Sequence, residues 1–204
     1  MQMAETDPTK GASEWATWRE RVDLDEYEQR WKKLAESGEN PHGEADLVCR
    51  FLPTSVLDAG CGMGRVAIEL SARGINAVGV DLDPDLLGRA RELAPELEWH
   101  LGDLATFDLE RTFDVVVAAG NVIGFVATED REAAVRGCAA HVAPGGRLIA
   151  GYSLNRRWPS LEQYDAWCAA SGLLIEHRYA TWDGQPFEGS SGAYHVSVHR
   201  RHGS

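Results

Sequence analysis

The chain has 204 residues, 44% of them apolar and 25% charged, and its formal net charge is -12 at pH 7. This length and composition indicate one globular domain with a sizeable core. The acidic balance argues against a nucleic-acid partner and against binding to an anionic membrane surface, because both need a basic face.

The polar start of the chain and its cysteines bear on the compartment. The first residues, MQMAETDPTKGASEW, are polar and unlike a signal peptide, and no apolar run approaches the roughly 20 residues of a membrane-spanning helix. Cys49, Cys61, Cys138 and Cys168 are widely spaced and form no C-x-x-C pair. We therefore expect free thiols, no metal site and a cytoplasmic protein.

Helical patterns come first along the chain. Four apolar residues recur at helical spacing in this part: Leu24, Tyr27, Trp31 and Leu34. A second, shorter helix is predicted over 43–52. We expect residues 1–42 to form an N-terminal arm with a cap helix, and residues 43–204 to form the main domain.

Strand and helix patterns alternate over the rest of the chain. Apolar runs of strand length are predicted at 56–59, 75–81, 97–101, 113–120, 145–154, 173–182 and 193–201. Helices are predicted between them at 64–74, 83–94, 128–142 and 160–172. Asp83 and Ser160 are suitable N-caps for two of these helices. Strands separated by helices imply a parallel sheet with right-handed crossovers.

The last two predicted strands follow each other without a helix, so we expect them to form an antiparallel hairpin at one edge. The predicted fold is therefore α/β: a doubly wound seven-stranded sheet, mostly parallel with a C-terminal antiparallel hairpin, helices on both faces and a short N-terminal helical extension. His195 and His199 alternate with apolar residues in the last strand. We expect them to share a solvated face of an edge strand.

The stretch VLDAGCGMGRVAIEL joins the first strand of this sheet to the following helix. It places Gly60, Gly62 and Gly64 at every second position, shortly after Asp58. In a doubly wound sheet, ligands bind beyond the carboxyl ends of the strands. Glycines there let the backbone turn and approach a ligand, and the next helix offers unpaired N–H groups.

Two other interpretations of this loop are weaker. A tight turn alone does not need three glycines beside an acid. The dinucleotide fingerprint G-x-G-x-x-G, counted from Gly60, needs a third glycine where Arg65 stands. Counted from Gly62, its third position is Ala67, which the pattern tolerates, but Asp58 is then unexplained.

The segment LDAGCGMG resembles the D/E-x-G-x-G-x-G loop of the class I S-adenosylmethionine (SAM)-dependent methyltransferases. The predicted sheet agrees with that family from about residue 43 onward. The resemblance implies that the loop binds SAM through Asp58, Gly60, Cys61, Gly62, Met63 and Gly64. Asp58 is expected to orient the loop or to meet the methionine amino end through water, rather than to act as a base.

Three later segments extend the resemblance. Asp81 ends the second strand, where the family carries an acid that accepts hydrogen bonds from both ribose hydroxyls, and Leu82 follows it. Asp103 resembles the acceptor for the adenine amino group, flanked by Gly102 and Leu104. At the end of the fourth strand, the resemblance implies contacts with the methionine end from Ala119, Gly120 and Asn121.

The resemblance implies methyl transfer to a small-molecule acceptor by in-line displacement, since little sequence lies outside the core. The candidate residues on the acceptor side are Tyr27, Trp31, His42, Asn121 and Tyr152. Each also has an ordinary structural interpretation, as a packing or capping residue. Gly-Asn-Val-Ile stands where DNA amino-methylating enzymes have N/D-P-P-Y/F, so DNA is not expected as the acceptor.

Two alternatives from other classes remain open at this stage. One is a Rossmann-type NAD-dependent oxidoreductase, and the other is a non-catalytic module that binds SAM or S-adenosylhomocysteine (SAH). Trp15 and Trp18 lie in the otherwise polar N-terminal arm. We expect this arm to form an ordered lid over the cofactor.

Overall fold

The computed structural model describes residues 14–26, 29, 33, 36–189 and 193–203. In chain order its strands are β1 (Ser55–Ala59), β2 (Asn76–Asp81), β3 (Glu98–Leu101), β4 (Phe113–Ala118), β5 (Val142–Ser153), β6 (Leu173–Tyr179) and β7 (Tyr194–Arg201). They form one seven-stranded sheet in the order β3-β2-β1-β4-β5-β7-β6. Strands β1 to β5 pair in parallel, and β7 is antiparallel to both β5 and β6. The predicted doubly wound sheet with its terminal hairpin is confirmed.

The helices follow the predicted alternation with two additions. The helices with described bounds are α1 (Glu14–Arg19), α2 (Gly43–Cys49), α3 (Arg65–Ala72), α4 (Pro84–Leu93), α5 (Val122–Phe125), α6 (Arg131–Ala140) and α7 (Leu161–Ala170). Neither α1 nor the short α5, which follows β4, was predicted. The boundary at residue 42 between arm and domain stays a prediction.

Two helix starts confirm the N-caps that the sequence predicts. The Asp83 side chain accepts hydrogen bonds from the backbone N–H groups of Asp85 and Leu86, at 2.9 and 3.2 Å. Ser160 and Gln163 form a reciprocal capping box at the start of α7. Each cap satisfies N–H groups that have no partner within the helix.

The core consists of two apolar layers, one on each face of the sheet. Leu57, Val116 and Leu148 face the layer that α6 and α7 cover. Their chain neighbours in the strands, such as Val56 and Val117, face the layer beneath α2, α3 and α4. Both faces of the central strands are therefore buried, as their continuous apolar sequences indicate. No helix of the described ranges is both long enough and apolar enough to cross a membrane.

The predicted position of His195 and His199 is wrong. Strand β7 lies between β5 and β6 rather than at the edge, and both histidines are almost fully buried beneath α7. His199 Nε2 lies 3.0 Å from Asp165 Oδ1, whereas neither ring nitrogen of His195 has a hydrogen-bond partner among the described residues. Burial lowers the pKa of each histidine to about 4.

The first test concerns His195→Leu. In the folded chain the neutral ring is favoured, so between about pH 6.5 and 4 only the unfolded chain binds a proton at this site. Stability of the wild type should therefore be lost as the pH falls through this window. We expect the unfolding free energy of the variant to rise relative to wild type by up to about 3 kcal/mol between pH 7 and 4. Urea denaturation across this range measures it; a constant difference would contradict the assignment.

Candidate active site

The glycine loop between β1 and α3 lies at the carboxyl ends of the parallel strands. We call this edge of the sheet, with the turns after β2, β3 and β4, the crevice, since ligands bind there in doubly wound sheets. Gly60, Gly62 and Gly64 all have positive φ, at 75°, 56° and 81°. The N–H groups of Gly60 and Cys61 donate to Val80 O at 2.8 and 3.0 Å, which fixes the loop against β2. Glycine adopts such left-handed backbone conformations without strain, whereas other residues would be strained at these three positions.

The three glycines have different surroundings. A Cβ on Gly64 would overlap the ring of Trp99, and a Cβ on Gly60 would lie 2.6 Å from the methyl groups of Val122. At Gly62 the nearest atom to a Cβ would be Leu86 Cδ1, at 3.9 Å. Two of the glycines therefore make room for protein side chains, whereas Gly62 is partly exposed and a side chain there would make only an ordinary contact with Leu86.

Asp58 connects β1 to the first turn of α3, across the glycine loop. Its carboxylate is 2% exposed, and Oδ2 accepts a hydrogen bond from Ala67 N at 3.1 Å. Burial raises the pKa of Asp58 to about 7, against the opposing effects of the Ala67 amide and of Arg65. The role of Asp58 in orienting the loop stays a prediction.

Asp81, at the end of β2, holds the loop from the side. Its Oδ2 accepts from Gly62 N at 2.7 Å and its Oδ1 from Asp83 N at 2.9 Å. Burial raises the pKa of this carboxyl despite both bonds. A carboxylate has roughly four acceptor positions, so two remain for a ligand. Leu82 and Leu101, which are 54% and 62% exposed, leave apolar surface beside it.

The turn after β3 carries Asp103, whose carboxylate is hydrogen-bonded within that turn. Gly102 N donates to Asp81 O at 2.9 Å, which ties the turn after β3 to β2. Asp103 is exposed, and its Oδ1 accepts from Ala105 N at 2.9 Å. The side chain of Leu104 is buried. One carboxylate oxygen of Asp103 is therefore engaged within the turn, and the other has no hydrogen bond from a described residue.

Asn121 joins the turn after β4 to the end of β5. Its N–H donates to Gly151 O at 3.0 Å, and its Oδ1 accepts from Ser153 N at 2.9 Å. The residue adopts a φ of 72° at the start of α5, and the preceding Gly120 is exposed with a φ of 75°. Asn121 thus shapes the rim, with its side-chain oxygen bonded to β5.

Of the remaining acceptor-side candidates, one differs from the prediction, one stays a prediction and two lie outside the described residues. Tyr152 is a correction: it is fully buried among Tyr164 and His195 in the layer under α7, so it does not line the crevice. His42 stands at the N-cap of α2 without a side-chain cap bond. Tyr27 and Trp31 lie outside the described residues.

The described helix of the N-terminal arm, α1, spans the crevice. Trp15 and Trp18 stack with ring centroids 4.8 Å apart, and both contact Phe125 at the end of α5. At the other end of α1, Arg19 binds Asp83 at 2.9 Å and Asp85 at 3.0 Å, at the start of α4. The helix is therefore attached on both sides of the crevice.

Sequence reasoning missed two supporting groups. The guanidinium of Arg65 forms two bonds to the Glu44 carboxylate, at 2.5 and 3.0 Å, and a third to Pro41 O. Trp99 packs under the loop and donates from Nε1 to Ala94 O at 2.9 Å. The only sequence signal was that Arg65 follows the loop directly. Glu44 is distant from Arg65 along the chain, and Trp99 is distant from the glycine against which it packs, Gly64.

Comparison with known proteins gives a consistent result. The family described as "Methyltransferase domain" matches residues 56–146. A TehB-like SAM-dependent methyltransferase from Corynebacterium glutamicum is 36% identical, with a TM-score of 0.79 over 87% of this chain and 97% of that one. The chain belongs to the class I SAM-dependent methyltransferase family. This membership replaces the NAD-dependent interpretation of the loop.

Two curated relatives of this methyltransferase are sugar N,N-dimethyltransferases. The Streptomyces venezuelae enzyme for dTDP-3-amino-3,4,6-trideoxy-alpha-D-glucopyranose is 35% identical over 52% of this chain and 46% of its own. The Streptomyces fradiae enzyme for dTDP-3-amino-3,6-dideoxy-alpha-D-glucopyranose is 34% identical over 55% of this chain and 47% of its own. The matches thus span about half the length of these relatives.

The residues of the crevice fit the family's cofactor. The backbone at Gly62 is partly exposed and uncrowded, and Asp81 keeps acceptor positions that suit a diol. Exposed Leu82 and Leu101 offer apolar surface for a planar base. Within the described part of the chain, no group of three His, Cys, Asp or Glu side chains could hold a metal ion.

The different surroundings of the glycines give a paired test. Gly64→Ala should lower the free energy of unfolding by about 3 kcal/mol or more, because its methyl group overlaps Trp99 and its φ is left-handed. Gly62→Ala has room and should cost only about 1 kcal/mol from its φ, while weakening SAH binding. Urea denaturation and calorimetry measure the two effects; equal destabilisation would contradict the assignment.

Proposed function

We propose that this methyltransferase transfers a methyl group from SAM to a small-molecule acceptor by in-line displacement. The observation that carries the proposal is the open backbone at Gly62, held beside the Asp81 carboxylate at the carboxyl end of the sheet. That combination supplies a close approach for a ligand and spare acceptors for a diol at one point.

The crevice residues divide into three groups in this proposal. Asp81 accepts hydrogen bonds from the ribose hydroxyls, with Leu82 and Leu101 against the adenine. Asp103 and the N–H of Leu104 serve the adenine edge. Ala119, Gly120 and Asn121 line the amino-acid end, and the loop from Gly60 to Gly64 lies under the middle of the cofactor. Asp58, Cys61 and Met63 support that loop from within.

Bound SAM supplies an electrophilic methyl group on a sulfonium centre. The protein's contribution is then to orient the acceptor in line with that methyl group and to exclude water. Trp15, Trp18 and Phe125 form an apolar cover at the β4 side of the crevice, which suits the second task. A base is needed only if the acceptor is protonated at neutral pH.

The limited acceptor-side surface of the described residues and the names of two relatives support a small acceptor. The arm and the turns after β4 and β5 supply the described acceptor-side surface. Two relatives act on amino sugars carried on dTDP, by their names. Such amino sugars are therefore the first acceptors to assay with methyl-labelled SAM. Firm SAH binding without transfer to any acceptor would favour the non-catalytic module.

Calorimetry with SAH and with NAD tests cofactor choice, and Asp81→Asn tests the site. The substitution keeps one oxygen acceptor but removes the charge and half of the acceptor positions, so SAH affinity should fall about tenfold or more. Asp108→Asn is the matched control, since Asp108 is an exposed carboxylate near His141, at the amino end of β4. Tight NAD binding, or unchanged SAH affinity in Asp81→Asn, would overturn the assignment.

The α1 helix generates a kinetic prediction. Arg19→Ala removes both ion pairs that fasten α1 to the start of α4. Because partly exposed pairs are worth roughly 0.5–1 kcal/mol each, SAH should dissociate several-fold faster. Stopped-flow tryptophan fluorescence measures the rate. Arg73→Ala breaks ion pairs to Asp46 and Glu69 instead and should leave it unchanged. Equal rates in all three proteins would exclude α1 as a lid.

A further inference from the structure

Tyr194, the first residue of β7, lies at the rim of the crevice. It pairs with Ser153 at the end of β5 and is half-buried on the sheet face that α2 and α3 cover. A Cβ on Gly151 would lie 2.6 Å from its hydroxyl oxygen and 2.6 Å from Trp182 Cζ2. The lack of a side chain at Gly151 therefore lets both aromatic side chains pack against β5.

The Tyr194 hydroxyl oxygen accepts a hydrogen bond from Trp182 Nε1 at 3.0 Å. Burial raises the pKa of Tyr194, against the opposing effects of Trp182 and of the Gly120 backbone amide. The hydroxyl packs against Gly151, whose carbonyl accepts from Asn121 N at 3.0 Å. The hydroxyl therefore lies beside the turn after β4, which lines the amino-acid end of the crevice in the proposed function.

The hydroxyl proton of Tyr194 has no acceptor among the described residues. A tyrosine hydroxyl accepts up to two hydrogen bonds and donates one. Trp182 Nε1–H donates to the oxygen, while no described residue accepts the hydroxyl proton. Since burial keeps the phenol protonated at neutral pH, the hydroxyl proton is available to an oxygen acceptor on a ligand.

Local charge permits that acceptor to be an anion. Glu44 and Arg65 lie near enough to Tyr194 to act on its pKa in opposite directions. The two bonds between them neutralise the Glu44 carboxylate locally. The amino-acid end of SAM carries an ammonium group, which only donates, and a carboxylate, which only accepts. The carboxylate is the group that complements a tyrosine donor.

We propose that the Tyr194 hydroxyl donates a hydrogen bond to the carboxylate of the cofactor's amino-acid moiety, and that Trp182 orients it. Tyr194 is then a cofactor-binding residue contributed by β7, from the antiparallel end of the sheet. The inference rests on the proposed function, because it requires SAM in this crevice. It also assigns a role to the contact between Trp182 and Gly151.

The experiment compares two ligands that differ only at this end. SAH carries the amino-acid moiety, and methylthioadenosine keeps the adenosine and the sulfur but lacks it. Calorimetry on the full chain should show Tyr194→Phe binding SAH about tenfold more weakly than wild type, because a bond to a charged group is lost. Its affinity for methylthioadenosine should stay within about twofold.

Tyr152→Phe is the matched control, since Tyr152 precedes Ser153 on β5 but its hydroxyl is buried in the opposite layer. It should bind both ligands as wild type does. Equal losses for the two ligands in Tyr194→Phe, or no loss for either, would overturn the assignment while leaving the proposed function standing. Failure of wild type itself to bind SAH would overturn both.

Discussion

The hydrogen bond from Gly62 N–H to the Asp81 carboxylate is the contact on which the crevice depends. It joins the loop after β1 to the end of β2, at a partly exposed glycine that no side chain crowds. A buried carboxylate with two amide donors is still under-solvated, as its raised pKa indicates. Two further donors from a diol would complete its solvation. The site is therefore arranged for a ligand before any ligand arrives.

The glycines of the motif serve two requirements, room for neighbouring side chains and uncrowded backbone at the ligand site. The spacing of the motif does not show which glycine serves which requirement. Gly60 and Gly64 leave room for the side chains of Val122 and Trp99, which are distant along the chain, whereas Gly62 is uncrowded. A sequence pattern identifies left-handed backbone and small size, but the reason for each depends on what the fold brings opposite. The motif thus predicted the location of the site and its ligand class, and it could not assign the role of each glycine.

Local signals predicted the elements well, because each depends on neighbouring residues. The apolar runs, the caps at Asp83 and Ser160, and the helix-free link before β7 all act over a few positions. Burial of Tyr152 and His195 was missed, since alternation shows which residues share a face but not what covers that face. Here β6 adds beyond β7 and α7 covers the layer. The four-residue α5 was too short for a periodic signal.

The two halves of the sheet affect stability in opposite directions as pH changes. Burial of Asp58 and Asp81 raises their pKa values, so they stabilise the fold at low pH and lose that effect as pH rises; for Asp58 the window ends near pH 7. Burial of His195 and His199 lowers theirs to about 4, and their stabilisation is lost as pH falls from about 6.5. Between about pH 4 and 6.5, unfolding takes up protons at the histidines and releases them from the carboxyls. The free energy of unfolding of the unliganded chain therefore changes less with pH than the histidines or the carboxyls alone would cause. A ligand that favours ionised Asp81 reduces only the carboxyl contribution, so cofactor binding should make the fold more sensitive to acid.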